Sequence, residues 1–123
     1  MTNEHLDMIE RAVLSWPGVT REPGRFNSTA YKLGRREIGH VHRNGVADIA
    51  FPKAVRDELI AASRAEPHQA DPRFAAVSFY VRTSDDVPRA IELFRMGYDR
   101  LTGAVPSPGA IAQPDGAQAD DVS

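Results

Sequence analysis

The sequence predicts an α+β fold, with helices packed on a mainly antiparallel four-stranded sheet in the order α-β-β-β-α-β-α. An apolar stripe at helical spacing, from Val87 to Leu101, predicts a long amphipathic helix at the end of the domain. The pair Asn44-Gly45 lies between two short apolar segments, as is typical of a β-hairpin turn. Helices interrupt the strands without the regular alternation of a parallel βαβ fold, which favours the antiparallel arrangement.

The first half of the chain is predicted to contain one helix and three strands. Apolar residues from Leu6 to Trp16 recur at helical spacing, so a helix is expected over about residues 3–15, ending at Pro17-Gly18. Residues 20–28, rich in Pro, Gly, Asn and Ser, are predicted to form a loop. Strands are expected over about residues 29–34, 36–42 and 46–51, the last two joined by the hairpin turn.

The second half is predicted to contain two helices around one strand. Pro52 suits the first turn of a helix that reaches about Ala65, and a loop with two prolines follows it. Residues 75–83 alternate as a strand does, and Ser84 is a suitable N-cap for the last helix. Residues 102–123 are rich in Ala, Pro and Gly and carry only negative charge, so we predict a disordered tail after one compact domain at residues 1–101.

The composition excludes several classes of protein. The chain has no cysteine, which rules out disulfides, thiolate catalysis and zinc-thiolate sites. It has no apolar run of the roughly 18 residues that a membrane helix needs, and its first residues lack the apolar core of a secretory signal. We therefore expect a cytoplasmic protein without a membrane partner.

Charge is distributed unevenly along the chain. Residues 21–56 contain eight basic and three acidic side chains, whereas residues 57–123 contain six basic and eleven acidic ones. A basic segment can attract phosphate groups, so weak, non-specific binding of nucleic acid is one possible function. Solvated arginines paired with acids elsewhere would give the same composition.

His40 and His42 are the residues most indicative of a site. Residues i and i+2 of a strand project to the same face, so both rings should lie side by side. With a two-residue turn at Asn44-Gly45, His42 would pair with Ala47 and His40 with Ile49. This register gives the histidines an apolar floor and places Asp48 on the opposite face; that floor would consist of Ile38, Ile49 and Phe51.

His68 follows the second helix and could reach the same end of the sheet, which leaves three interpretations of the histidines. His40, His42 and His68 could bind zinc, iron or copper with a coordination position open to water. They could instead bind a small anionic ligand, with Arg35, Arg36 or Arg43 supplying positive charge. They could also be packing residues hydrogen-bonded to the backbone.

A resemblance to a known family extends over residues 6–101. The stretches that carry it are WPGV, LGRREIGHVHRNGVADIAFP, VRDELIAASRAEPH and VSFYVRTSDDVPRAIELFRMGYDRL. They resemble the luciferase-domain family of small bacterial proteins, a resemblance that implies a stand-alone domain but no particular reaction. The chain departs from the family pattern after His68, where Gln69 replaces a second histidine and Phe74 stands in a stretch that otherwise carries tryptophan. The order of elements is also similar to that of MmcQ/YjbR-like domains, which have a double-wing DNA-binding topology.

The sequence thus favours a non-catalytic ligand-binding or interaction domain. The first alternative is an enzyme that uses His40, His42 and His68, with or without a bound metal ion. The second alternative is non-specific nucleic-acid binding. No hydrolase, phosphate-loop or dinucleotide-binding motif is present in the sequence, and the pattern identifies neither a cofactor nor an oligomeric state.

Overall fold

A computed structural model of the chain describes residues 3–103, which form three helices and a six-stranded antiparallel sheet. The elements are α1 (Asn3–Leu14), β1 (Val19–Pro23), β2 (Ser28–Leu33), β3 (Arg36–His42), β4 (Val46–Ala50), α2 (Lys53–Ala61), β5 (Glu66–Pro67), β6 (Ala76–Tyr80) and α3 (Asp86–Thr102). The strands are arranged in the order β1-β2-β3-β4-β6-β5. The predicted α+β class with an antiparallel sheet is therefore confirmed.

The predicted number of four strands was too low, because β1 and β5 lie in segments expected to be loops. β1 has the sequence VTREP and is largely exposed, so it lacks the apolar alternation that marks a strand. It pairs along its whole length with β2. β5 has only two residues, Glu66 and Pro67, and pairs with the edge of β6. Both are edge strands, where proline is tolerated because one side of the backbone needs no partner.

One face of the sheet packs against helices. α1 contacts α3, and α3 contacts β3 and β4. Phe94 of α3 is fully buried and meets the ring of Tyr31 edge-on, with ring centroids 5.8 Å apart. Gly97 lets α3 approach the sheet closely, since a Cβ atom there would lie 3.2 Å from Ile38. The core therefore lies between this face and the two helices, and the opposite face of β2, β3 and β4 is free to carry polar side chains.

The hairpin between β3 and β4 has a different register from the predicted one. Its connection contains three residues, Arg43 to Gly45, and Gly45 has a φ of 95°. The extra residue shifts the pairing by one position, so that His40 pairs with Asp48 and not with Ile49. Because side chains alternate along a strand, this shift brings Asp48 to the histidine face. The expectation that Asp48 lies on the opposite face was wrong.

The predicted apolar floor of Ile38, Ile49 and Phe51 was also wrong. Ile38 and Ile49 both lie beside Gly97 of α3, on the helix-covered face. Pairing with β2 shifts by one residue between Tyr31 and Lys32, which leaves Ile38 as the extra residue of a β-bulge. Gly39 fits the tight packing at this bulge, because a Cβ atom there would lie 2.6 Å from the carbonyl oxygen of Asp48.

The predicted disordered tail lies almost wholly outside the described residues. α3 ends at Thr102, and Gly103 follows with a φ of 77°, a conformation that glycine adopts readily at a helix C-terminus. Within the described part of the chain, no helix combines the length and the apolar character needed to cross a bilayer.

Candidate functional site

The carboxylate of Asp48 is the centre of a cluster of polar side chains on the open face of the sheet. Its side chain is only 2% exposed. Oδ2 accepts hydrogen bonds from Nε2 of His40 at 3.1 Å, Nε2 of His42 at 3.0 Å and Nε2 of Gln69 at 2.9 Å. Ser78 donates its hydroxyl to Oδ1. A buried carboxylate is costly unless it is paired and hydrogen-bonded, and Asp48 meets both conditions.

Strand register places these groups together. Asp48 on β4 lies between its two cross-strand partners, His40 on β3 and Ser78 on β6. All three side chains project from the same face, because directly paired residues of antiparallel strands share a face. Gln69 enters from the loop after β5, where its backbone N–H also donates to the hydroxyl of Ser78 at 2.9 Å.

His40 lies between two carboxylates. Its Nδ1 lies 2.7 Å from Oε2 of Glu37, and its Nε2 contacts Asp48. Carboxylates only accept hydrogen bonds, so both ring nitrogens donate and the ring is a positively charged imidazolium. The bonds to Asp48 and Glu37 raise the pKa of His40 to about 9. The bond from His40 in turn lowers the pKa of Glu37.

The β-bulge explains how Glu37 reaches His40. Residues i and i+3 of a regular strand point to opposite faces, so Glu37 would normally lie on the helix-covered side. The extra residue at Ile38 restores Glu37 to the face of His40. The bulge is therefore a structural requirement of the Glu37–His40 contact.

The carboxyl group of Asp48 is ionised. Burial acts to raise its pKa, but the hydrogen bonds from His40, Ser78 and Gln69 outweigh burial and hold the pKa well below the ordinary value. The centre of the cluster is thus an ion pair between the Asp48 carboxylate and the His40 imidazolium.

His68 approaches the cluster without bonding to Asp48. Its Nε2 lies 3.7 Å from Oδ2 of Asp48, beyond hydrogen-bonding distance. Its Nδ1 accepts the backbone N–H of Ala70 at 3.1 Å and that of Asp71 at 3.4 Å. An accepting Nδ1 places the proton of the neutral ring on Nε2, so His68 presents a donor toward the cluster.

The cluster forms the floor of an open cleft of about 1120 Å³. Phe26, with 83% of its surface exposed, and Phe74, with 50%, both line this cleft. Phe26 and Asn27 have left-handed backbone conformations, with φ of 54° and 59°. Such conformations are uncommon outside glycine, so the loop before β2 holds Phe26 outward at some cost in backbone strain.

Arg25 and Arg43 line the same cleft, and both are exposed. Neither guanidinium forms an ion pair with any acid in the part of the chain that the structure describes. Lys32, which also lines the cleft, is 3.5 Å from Glu22. The rim therefore carries two uncompensated positive charges.

The structure brings together four of the six predicted site residues. His40, His42, His68 and Arg43 line the cleft. Arg35, in the turn before β3, and Arg36, at the beginning of β3, lie outside the cleft lining. Their roles in binding stay predictions. The sequence did not predict site roles for seven other residues of the cleft and its polar cluster. For Asp48 a signal was present, because an acid within the apolar strand VADIA indicates a side chain that needs partners. The seven residues are Asp48, Glu37, Gln69, Ser78, Arg25, Phe26 and Phe74.

Comparison with known proteins identifies the family. A family model described as Luciferase domain matches residues 35–97, just over half of the chain. The chain belongs to the luciferase-domain family, as the resemblance in sequence predicted. The matched segment contains the whole polar cluster from Glu37 to Ser78. Searches of curated proteins and of solved structures found no match.

Gln69 occupies the position where the family resemblance implies a second histidine. Its side-chain amide donates to Asp48 and its backbone donates to Ser78. The departure from the family pattern therefore leaves a hydrogen-bonding group in place, because an amide can donate to a carboxylate as an imidazole does.

Proposed function

We propose that this luciferase-domain protein binds a small anionic ligand with an apolar body in the cleft above Asp48. The observation that carries the proposal is the pair of exposed phenylalanines, Phe26 and Phe74, on the walls of a cleft whose floor is polar. An apolar cleft with a few convergent polar groups is the usual form of a small-molecule site. A ligand between the two rings would remove apolar surface from water.

The charges of the cleft favour a negatively charged ligand. Arg25 and Arg43 are exposed at the rim, and their guanidinium groups suit carboxylate, sulfonate or phosphate groups. The floor contributes donors as well, since Nε2–H of His68 faces the cluster without a bonded acceptor there. The ligand's charged group would lie near the arginines, and its apolar part would lie against Phe26 and Phe74.

The basic segment gives less support to nucleic-acid binding. Four of its eight basic side chains form ion pairs with acids of the same domain. These are Arg21, Lys32, Lys53 and Arg56. A surface that releases many counterions on a phosphate backbone needs unpaired cations, and pairing reduces their number. The other alternative, a metal-dependent enzyme, requires a metal ion at the histidine cluster.

The test uses two matched dyes with the same phenylaminonaphthalene body. One is 8-anilinonaphthalene-1-sulfonate, which is anionic, and the other is N-phenyl-1-naphthylamine, which is uncharged. Fluorescence titration in the presence of EDTA should show one site for the anionic dye and weaker binding of the uncharged dye. Arg43→Ala should weaken the binding of the anionic dye alone. The expected loss of affinity is about fivefold, which corresponds to roughly 1 kcal/mol of binding free energy.

Changes in the walls should affect both dyes. The double variant Phe26→Ala, Phe74→Ala should weaken the binding of both dyes, because each dye loses the same apolar contact. Met8→Ala and Arg35→Ala are the matched controls, since both residues are exposed and lie outside the cleft. If the dyes do not bind, or if the controls weaken binding as much as the cleft variants do, the proposed function is wrong.

A further inference from the structure

We propose that His40, His42 and Asp48 bind one divalent transition-metal ion at the floor of the cleft. One ligand atom of each residue lies within 4.8 Å of the corresponding atoms of the other two. The inference rests on the proposed function in that both use the same cleft, and it adds a cofactor to that site. Its donor set differs from the sequence prediction, with Asp48 in place of His68.

The distances between the donor atoms fit a metal. Oδ2 of Asp48 lies 3.1 Å from Nε2 of His40 and 3.0 Å from Nε2 of His42. Ligand atoms at about 2.0–2.1 Å from a tetrahedral metal are roughly 3.3 Å apart, so these two separations need to change by only a few tenths of an ångström. The ligand atoms of the two histidines lie within 4.8 Å of each other, and a rotation of the rings would bring them closer. The side chains of His40 and His42 are 27% and 17% exposed, which leaves one side of the cluster open to the cleft.

The neighbours of the donor atoms hold them in position for coordination. Glu37 accepts from Nδ1 of His40, which directs Nε2 of that ring toward Asp48. A carboxylate behind a ligating histidine is the usual outer partner of a metal site. Ser78 holds Oδ1 of Asp48, so that Oδ2 faces both histidines. When the metal binds, the proton on Nε2 of His40 leaves to solvent and the one on Nδ1 stays in its bond to Glu37. His42 also gives up the proton on its Nε2 and, by exchange with solvent, carries one on Nδ1 instead, so that each Nε2 offers a lone pair to the metal.

His68 is excluded as a ligand by its own hydrogen bonds. Its Nδ1 accepts two backbone N–H groups, so the proton on Nε2 cannot move to Nδ1 without breaking both bonds, and Nε2 cannot offer a lone pair to the metal. It is instead positioned to donate to a water molecule or an anion bound on the open side of the metal. This arrangement links the ion to the ligand proposed above.

The donor set indicates the class of metal. Two imidazoles and one carboxylate suit zinc, iron(II), cobalt or nickel, whereas magnesium and calcium prefer sites made only of oxygen. Three protein ligands with an open position are characteristic of sites at which an exogenous molecule also coordinates.

The experiment titrates the full chain, first treated with EDTA and then dialysed free of it, with zinc chloride in a calorimeter. We expect one ion per chain and no comparable binding of magnesium. Cobalt(II) in place of zinc should give the visible absorption of a site with nitrogen and oxygen ligands. His42→Ala should weaken zinc binding by at least about 100-fold, and Glu37→Gln by about 10-fold or more, as for loss of an outer partner.

Two further histidine variants test the choice of ligands. His5→Ala removes a histidine outside the cleft and is the control, with unchanged zinc binding. His68→Ala removes a histidine beside the proposed ion, and its effect on zinc affinity should be far smaller than that of His42→Ala. Asp48→Asn should also lose zinc binding, because it removes the carboxylate ligand. Circular dichroism confirms that each variant is folded, and His42→Ala suffices if Asp48→Asn does not fold. The absence of zinc binding, or its equal loss in the His68 variant, would overturn the proposed donor set.

The dye titrations in EDTA separate this inference from the proposed function. Dye binding without zinc binding would support the ligand-binding cleft and contradict the metal site. Zinc binding that depends on His42, without dye binding, would support the metal site and contradict the proposed ligand-binding function.

Discussion

Asp48 and His40 face each other across β3 and β4, with Oδ2 of the carboxylate 3.1 Å from Nε2 of the ring. The contact depends on a three-residue turn, since a two-residue turn would shift the pairing by one position and turn Asp48 toward α3. A single residue in a surface turn therefore decides whether the domain has a polar site.

Stability of the metal-free protein should fall as the pH rises from about 6.5 to about 9. The folded protein holds the pKa of His40 at about 9, above the unfolded value of 6.5. The raised pKa means that the folded state binds this proton more tightly than the unfolded state does. The resulting stabilisation is complete below pH 6.5 and is lost as the pH rises to about 9. The loss should be on the order of 2 kcal/mol, since the ring is partly exposed.

Urea unfolding in EDTA at a series of pH values measures this loss. His40→Asn should flatten the curve over the same pH range, because the raised pKa is removed with the ring. A wild-type curve that rises over this range would contradict the assignment of His40 as an imidazolium.

Asp48→Ala should destabilise the domain by roughly 3 to 5 kcal/mol. The change leaves the buried hydroxyl of Ser78 and the partly buried, charged ring of His40 without their acceptor. Asp57→Ala is the matched control, because its ion pair with Lys53 is exposed and should contribute far less to stability. Similar unfolding free energies for the two variants would show that the cluster contributes little to the fold.

Phe94→Ala should destabilise the domain by roughly 3 to 5 kcal/mol, as is usual for a large core side chain. Phe94 is fully buried between α3 and the sheet. Phe26→Ala makes the same chemical change at a residue that is 83% exposed and should alter the free energy of unfolding very little. A loss below about 1 kcal/mol for Phe94→Ala in urea unfolding would contradict the described packing.

Gly39→Ala should lower stability and disturb the site together. Its Cβ would lie 2.6 Å from the carbonyl oxygen of Asp48 and 2.9 Å from the ring of Phe94, so the backbone at the bulge must move. We expect a loss of roughly 1 to 3 kcal/mol, typical of overpacking. Nuclear magnetic resonance titration should also show a lower pKa for His40, and an unchanged pKa would mean that the bulge does not hold Glu37 in place.

Removal of residues 104–123 should leave the melting temperature unchanged. The prediction depends on composition, because this segment is poor in large apolar side chains and carries only acidic charge. Differential scanning calorimetry of the chain ending at Gly103 provides the measurement. A decrease of several degrees would show that the segment packs on the domain.

The fold class and the longer elements could be predicted from the sequence because apolar periodicity reports burial directly. The stripe of α3 and the bounds of β3 follow from it. β1 and β5 could not be predicted in this way, since edge strands are held by backbone hydrogen bonds that leave no apolar pattern.

The site was predicted in part for a related reason. Spacing alone places His40 and His42 on one face, and the segment after α2 brings His68 near them. The position of Asp48 depends on turn length and that of Glu37 depends on a bulge. Both are shifts of one residue in pairing between strands, and they are set by tertiary contacts that a single sequence does not display.

The arrangement of Ser78, Asp48 and His40 on three adjacent strands has a consequence for how the domain acquires its site. These groups come from β6, β4 and β3, so none of the hairpins contains them all. Asp48 and Ser78 are 30 residues apart in the sequence, and such distant pairs form late because closing the intervening chain costs entropy. A refolding chain whose helices and first hairpins have formed would hold His40, His42 and Asp48 together but would still lack Ser78 beside Asp48. The dye site also needs Phe26 and Phe74, which come from segments far apart in the chain. In a refolding time course, dye binding should therefore recover with the slowest phase of sheet formation, after most of the helical circular dichroism has returned.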